Sequence, residues 1–304
     1  MRQLLEQTNA YKILKGQTEL SHAYLVFFAD SDSLEKMMPV FSELFFRSAD
    51  DRVKTLLQKK AFCDCLYYPK DNKKFSVEDA EAVQEECILK PVEADKKLFV
   101  FPDFSLSTTA AQNKMLKLLE EPPKGVYFLL GASVLSAVLP TVLSRVKTLE
   151  IPPFSLEETE KYLKRNYPQS ENAKRAASAS GGFPSKAENL LSGGFLNELS
   201  SFAFSLCLSP LSSLPTLCKQ AENFPKKQEL LSFIRMIFRD ALVLKTGTGE
   251  PLLPLDKNKT EEVANLYSMR ELLKAQDLLS QAEKDFKFNA VFPKTLELLF
   301  NLIR

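Results

Sequence analysis

A chain of 304 residues, 45% of them apolar, is long enough to build two or three cores, and its formal net charge of +1 sets 40 Lys+Arg against 39 Asp+Glu. That balance excludes a protein that coats nucleic acid by charge alone. No apolar run approaches the ~18 residues of a membrane helix, the N-terminus shows no signal-peptide pattern, and the five irregularly spaced cysteines suit a reducing cytosol better than a disulfide scaffold.

The opening MRQLLEQTNAYKIL is amphipathic and already structural. Strands and helices then alternate to about residue 152. Apolar runs at Ala23–Phe28, Phe62–Tyr68, Leu98–Phe101, Val126–Gly131 and Val146–Ile151 read as strands, with helices at Leu34–Phe46, Val77–Leu89 and Thr109–Glu121. This alternation predicts right-handed crossovers and a parallel five-stranded sheet covered on both faces. The near-continuous hydrophobicity of AYLVFF and VYFLLG fits strands buried on two sides.

The helix around Lys114 begins with a plausible capping box from Thr109 to Gln112 and gathers Ala111, Met115, Leu118 and Leu119 on one face. Pro122 and Pro123 end it, because proline removes a donor and restricts the residue before it.

After Ile151 the pattern becomes helical only. Ser155 caps SLEETEKYLKRNY, a second helix spans Glu171–Ser180 and stops at Gly181-Gly182, and a third spans Ser185–Leu191 and stops at Gly193-Gly194. Beyond Phe195 come amphipathic helices including Lys226–Leu244, Thr260–Phe286 and Phe292–Arg304, with Lys245–Lys259 as a loop or poorly ordered connection.

The run LLEEPP, an apolar strand, LPTVLSR and IPPFS, together with His22-Ala23-Tyr24-Leu25 before the first break, resembles the AAA+ clamp-loader subunits of bacterial DNA polymerase III. The resemblance rests on motifs over the first ~195 residues and on helical character beyond them. It implies an α/β plus all-α protein: a degenerate AAA+ domain over 1–152, a small helical lid over 153–194 and a C-terminal helical collar over 195–304.

An active member of that family carries glycines, a lysine and a hydroxyl after the first strand to grip phosphates and magnesium. Here that stretch is Phe27-Phe28-Ala29-Asp30-Ser31-Asp32-Ser33-Leu34-Glu35. It has no glycine, Leu34 stands at the lysine position, and its carboxylates repel a triphosphate. The Asp-Glu pair expected after the third strand is Pro102-Asp103, the polar residue after the fourth aligns with Ala132, and the lid arginine aligns with about Ser185. Four losses predict an ATP-inactive member with no nucleotide cofactor, and the resemblance implies that such a member caps one end of a ring. The alternative is a divergent motor subunit, or another AAA+ ATPase with residual nucleotide binding. Cys63-Asp64-Cys65 and the distant Cys87 cannot close the four-cysteine zinc module of some relatives, so no metal is expected.

Ser144-Arg145 is the motif retained, with Val146 replacing the usual cysteine. The resemblance implies that Arg145 serves a neighbouring subunit's ATP site, with Ser144 as a supporting residue. The plainer alternative is a surface arginine at a helix end; with the surrounding block matched, the first reading is preferred. His22, the single histidine, is read as a backbone contact at a strand entrance. Lys161, Lys164, Arg165, Lys174 and Arg175 are read as a solvated face rather than a DNA-binding one. The apolar face of Phe292–Arg304 is read as collar packing. The resemblance further implies motor (gamma/tau) and clamp-opening (delta) subunits as partners, contact with sliding clamp and primed DNA through the assembly, no membrane, and a cytoplasmic place at the bacterial replication fork.

Overall fold

The computed structural model describes the chain except residues 48–49, 71–73, 171, 192–194, 225–226, 248–256 and 288–290. The expected start of a helix at Glu171, the stop at Gly193-Gly194 and the core of the Lys245–Lys259 connection lie outside the described residues. The described chain forms two compact units. The first holds Met1–Glu158 with Phe183–Ser185, and the second Thr159–Gly182 with Lys186–Arg304. The expected lid and collar thus share most of one unit.

The first unit opens with α1 (Arg2–Gln7) and α2 (Asn9–Gly16). They are separated by Thr8, whose side chain caps α2 at the Tyr11 N–H. Strands follow at β1 (Ala23–Phe27), β2 (Cys65–Tyr67), β3 (Lys97–Phe101), β4 (Val126–Ala132) and β5 (Lys147–Glu150), all parallel, in the order β2-β3-β4-β1-β5. The five expected strands are all present. Residues Ala23–Val26 of β1 and six of the seven in β4 are buried, as central strands with both faces covered must be. Edge strand β5 buries only Leu149.

Helices α3 (Ser31–Ser42), α5 (Val77–Ile88), α6 (Thr109–Glu120) and the short α7 (Pro140–Leu143) connect the strands. An additional helix not expected from the sequence, α4 (Asp51–Gln58), is capped by Asp50 at the Val53 N–H and buries Val53 and Leu57. The cap of α6 corrects the expected capping box. Thr108, one residue earlier, accepts from the Ala111 N–H. Gln112 is instead buried, donating to the Ala137 carbonyl at 2.9 Å and accepting from the Leu139 N–H at 2.8 Å. It therefore ties α6 to the segment leading into α7.

Helix α8 (Leu156–Asn166) begins at the expected cap: the Glu158 N–H donates to Ser155 Oγ while Glu158 Oε2 accepts from the Ser155 N–H. In the second unit α9 (Ala173–Ser180) ends at Gly181 and Gly182, with φ of 66° and 86°, values an L side chain resists. Helices α10 (Pro184–Leu191), α11 (Phe195–Leu208) and α12 (Leu214–Gln220) precede the longest helix, α13 (Lys227–Thr246), which packs against α9, α11 and two later helices, α14 (Lys257–Leu266) and α15 (Met269–Lys287). Those two correct the single helix expected at Thr260–Phe286. Ser268 breaks it by capping α15, accepting from the Glu271 N–H while its own N–H donates to Glu271 Oε2. The last helix, α16 (Phe292–Ile303), packs on α12 and α15 with Leu296, Leu299, Phe300 and Ile303 buried within this chain.

Candidate functional site

In a parallel sheet, ligands meet the C-terminal ends of the strands, and there the first unit places the positions after β1, β3 and β4, whereas Ser144 and Arg145 lie just before β5 begins. Between the last residue of β1 and the first of α3 lie only Phe28, Ala29 and Asp30. This is a tight turn with no glycine in it. Phe28 is buried against the rings of Phe154 and Phe183, centroids 5.7 and 5.4 Å away. Asp30 accepts a hydrogen bond from the Ser33 hydroxyl. Leu34, at the lysine position, is fully buried, and Glu35 pairs with Lys60 at 2.8 Å. Ser185, at the lid-arginine position, is buried, and its N–H donates to Ser33 Oγ at 3.1 Å.

The turn after β3 is closed in the same way. Gly131 of β4 lies so near Pro102 that an added Cβ would meet the Pro102 carbonyl oxygen at 2.0 Å, so only glycine fits there. Asp103 Oδ1 accepts from the Ser105 N–H at 3.2 Å, from the Ser133 N–H at 3.1 Å and from the Ser105 hydroxyl. Its Oδ2 accepts from the Ser133 hydroxyl at 2.5 Å. The carboxylate already has four donors, so it holds the chain rather than facing outward. Ala132, beside it, is fully buried.

Arg145 follows directly on Ser144, the residue that ends α7. Its guanidinium keeps 30% side-chain exposure. Nη1 donates to the Thr141 carbonyl at 2.9 Å and to Ser144 Oγ at 3.2 Å, while Nε and Nη2 donate to Glu120 Oε2 at 3.2 and 3.1 Å. Thr141 and Glu120 were not singled out from the sequence. Glu120 sits in the LEEPP run, yet its pairing spans 25 residues and no local pattern announces it.

The cysteine region has a structural role instead. Asp64 is fully buried, and its carboxylate accepts from the N–H groups of Val92, Glu93 and Ala94 at 2.7, 2.8 and 2.7 Å. Burial pushes the Cys65 and Cys87 thiols up to about 12. Among the described residues no group of three or more His, Cys, Asp or Glu gathers to hold a metal. The His22 ring lies 2.9 Å from the Leu119 carbonyl, the backbone contact anticipated. Of the five basic residues in α8 and α9, Lys161, Lys164, Arg165 and Lys174 are exposed. Arg175 corrects the expected solvated face: it is buried and reaches Asn197 Oδ1 at 3.2 Å. No helix among the described residues is long and apolar enough to cross a membrane.

Residues 6–155 match the family described as DNA polymerase III, delta subunit. This segment belongs to that family. The chain is also similar to the DNA polymerase III subunit delta′ of Bacillus subtilis, 36% identical over 73 residues, and to the subunit gamma/tau of Mycobacterium tuberculosis, 32% identical over 69 residues. These stretches cover 24% and 23% of this chain but only 22% and 12% of those proteins. Among solved structures, a gamma-subunit-related protein of Thermotoga maritima superposes with a TM-score of 0.42 at 18% identity, over 96% of each chain. The Bacillus subtilis DNA clamp loader delta protein does so with a TM-score of 0.36 at 13% identity, over 97% of this chain and 98% of that one.

Proposed function

We propose that this chain is a non-catalytic, delta-prime-like subunit of the bacterial DNA polymerase III clamp loader. In that role it holds one position in a ring with motor (gamma/tau) and clamp-opening (delta) subunits. It offers Arg145, steadied by Ser144, to the ATP site of the neighbouring motor subunit, and so helps load the sliding clamp onto primed DNA in the cytoplasm. The three parts of the chain serve as a degenerate AAA+ domain, a lid and an oligomerising collar.

One contrast carries this reading. The three-residue turn after β1, with no glycine, and the self-satisfied Asp103 argue against a phosphate cradle and a metal carboxylate, so no catalytic step is assigned to this chain's own pocket. The guanidinium of Arg145 stays partly exposed at a helix end. A guanidinium is permanently charged and planar, and its donors match the charge that develops on a transferred phosphoryl group. Arginine fingers supplied in trans accelerate nucleotide hydrolysis by roughly 10³–10⁵ at the site they serve.

In the loader reconstituted with its own partner subunits, Arg145→Ala should leave folding nearly intact and slow clamp loading and ATP turnover by about tenfold or more. Unchanged loading by the variant assembly removes the finger role. The 32% identity to a gamma/tau subunit favours a second reading, a divergent motor subunit with residual nucleotide binding. Calorimetric titration of ATP–Mg²⁺ into the isolated chain separates the two. Absence of micromolar binding is expected, and micromolar binding overturns the proposal in favour of the motor.

A further inference from the structure

A guanidinium has five N–H donors in a fixed plane. In Arg145 four have partners within the chain: Thr141 O and Ser144 Oγ take both hydrogens of Nη1, and Glu120 Oε2 takes Nε–H and one hydrogen of Nη2. The second hydrogen of Nη2 has no partner among the described residues. The two sets of contacts come from different elements. Thr141 and Ser144 belong to the helix end that carries the arginine, whereas Glu120 is the last residue of α6, ahead of the Pro122-Pro123 stop. Without Glu120 the guanidinium is tethered along one edge only.

We propose that Glu120 is a positioning residue for Arg145, holding the guanidinium in one orientation so that its remaining donor faces a phosphoryl oxygen of a neighbouring subunit. This rests on the reading of Arg145 as a finger acting in trans. An unrestrained arginine populates many rotamers. A group that has to meet a reacting atom gains from being placed beforehand. A carboxylate accepting from Nε and Nη2 together fixes the plane as well as the position, which a backbone carbonyl on Nη1 alone does not.

Exposure sets how firmly. The Glu120 side chain is 59% exposed and Arg145 30%, so water and salt screen the pair. The hold is therefore directional more than strong, and Arg145 need not be torn from a dry ion pair when a phosphate approaches. Lys117, one helical turn before Glu120, is exposed, and among the described residues the ion pair of Glu120 is with Arg145.

The test uses the loader assembled from its full set of native subunits, reading ATP turnover, the KM for ATP and thermal stability. Glu120→Ala should lower kcat roughly three- to tenfold with KM unchanged, the signature of an interaction made in the transition state. The melting temperature should not move. Glu120→Gln, which keeps an acceptor oxygen, should recover most of the rate. Adding Glu120→Ala to Arg145→Ala should slow the assembly no further than Arg145→Ala alone.

An unchanged rate in Glu120→Ala, or a faster one, overturns the positioning role; so does an equal loss when Arg145 is already absent. If Arg145→Ala itself has no effect, or the chain does not join the assembly, the finger reading fails and the positioning role with it. If Arg145→Ala slows turnover and Glu120→Ala does not, only the positioning role fails.

Discussion

Two ends of the same sheet unit treat their charges in opposite ways. At the C-terminal ends of β1 and β3 the carboxylates of Asp30 and Asp103 turn back onto the chain, where serine hydroxyls and backbone N–H groups consume them. At the ends of α6 and α7 the charges of Glu120 and Arg145 stay half in water and bind each other side chain to side chain. A carboxylate bonded within its own chain cannot be released without leaving those donors unsatisfied, whereas an exposed ion pair opens at little cost. The first arrangement builds structure. The second leaves a group free to change partners.

The inward side of that contrast is tested by stability. Asp64 is its extreme member, with three backbone donors and no exposure. Asp64→Ala should destabilise the first unit by about 3 kcal/mol, because the strap at Val92–Ala94 loses all three acceptors at once. Chemical denaturation of the full chain reads this directly, and a change below about 0.5 kcal/mol breaks the argument that Asp64 anchors that strap.

Asp103→Asn should have a smaller effect, about 1–2 kcal/mol, since the amide keeps one acceptor for Ser105 and Ser133 while losing the charge that strengthens those bonds. Turnover by the assembly should follow only that stability loss. Full stability with lost turnover would mean that Asp103 acts on substrate, and the contrast between the two ends would collapse.

The smallest effect is kinetic. Cys63 is exposed, yet partial burial and then the charges of Asp64 and Glu93 raise its thiol above the ordinary value. Burial holds Cys65 and Cys87 at about 12. At pH 8 a thiol-alkylating reagent should label Cys63 slowly, and Cys65 and Cys87 only once the unit unfolds. As the pH rises past the ordinary value near 9 toward 12 these two buried thiols resist ionising, so the stability they contribute below 9 should be lost over that interval. Labelling of Cys65 as fast as Cys63 would show that the β2 edge opens in the native state.

Much of the fold is readable because its signals are local. Apolar runs of four to seven residues, the double proline after Glu121, the Ser155 cap and the Gly181-Gly182 stop each act on their immediate neighbours. Local signals were also overlooked: Asp50 at the head of α4, and the Ser268–Glu271 pair that splits α14 from α15. Both are capping patterns that the apolar periodicity around them masked. What no local pattern carried are the pairings across distance. Asp64 meets residues 28 to 30 positions away, Gln112 residues 25 and 27 away, and Glu120 its arginine 25 away.

That the stretch Phe27–Glu35 holds no glycine, and that an arginine follows Ser144, is written in the order of amino acids, since composition along a short stretch needs no folding to be seen. The order β2-β3-β4-β1-β5, the direction in which Asp64 and Asp103 point, and the partner that steadies Arg145 came only with the tertiary structure. Strand neighbours and buried hydrogen bonds are contacts between segments far apart in the chain, and the energy of each depends on where every other element packs.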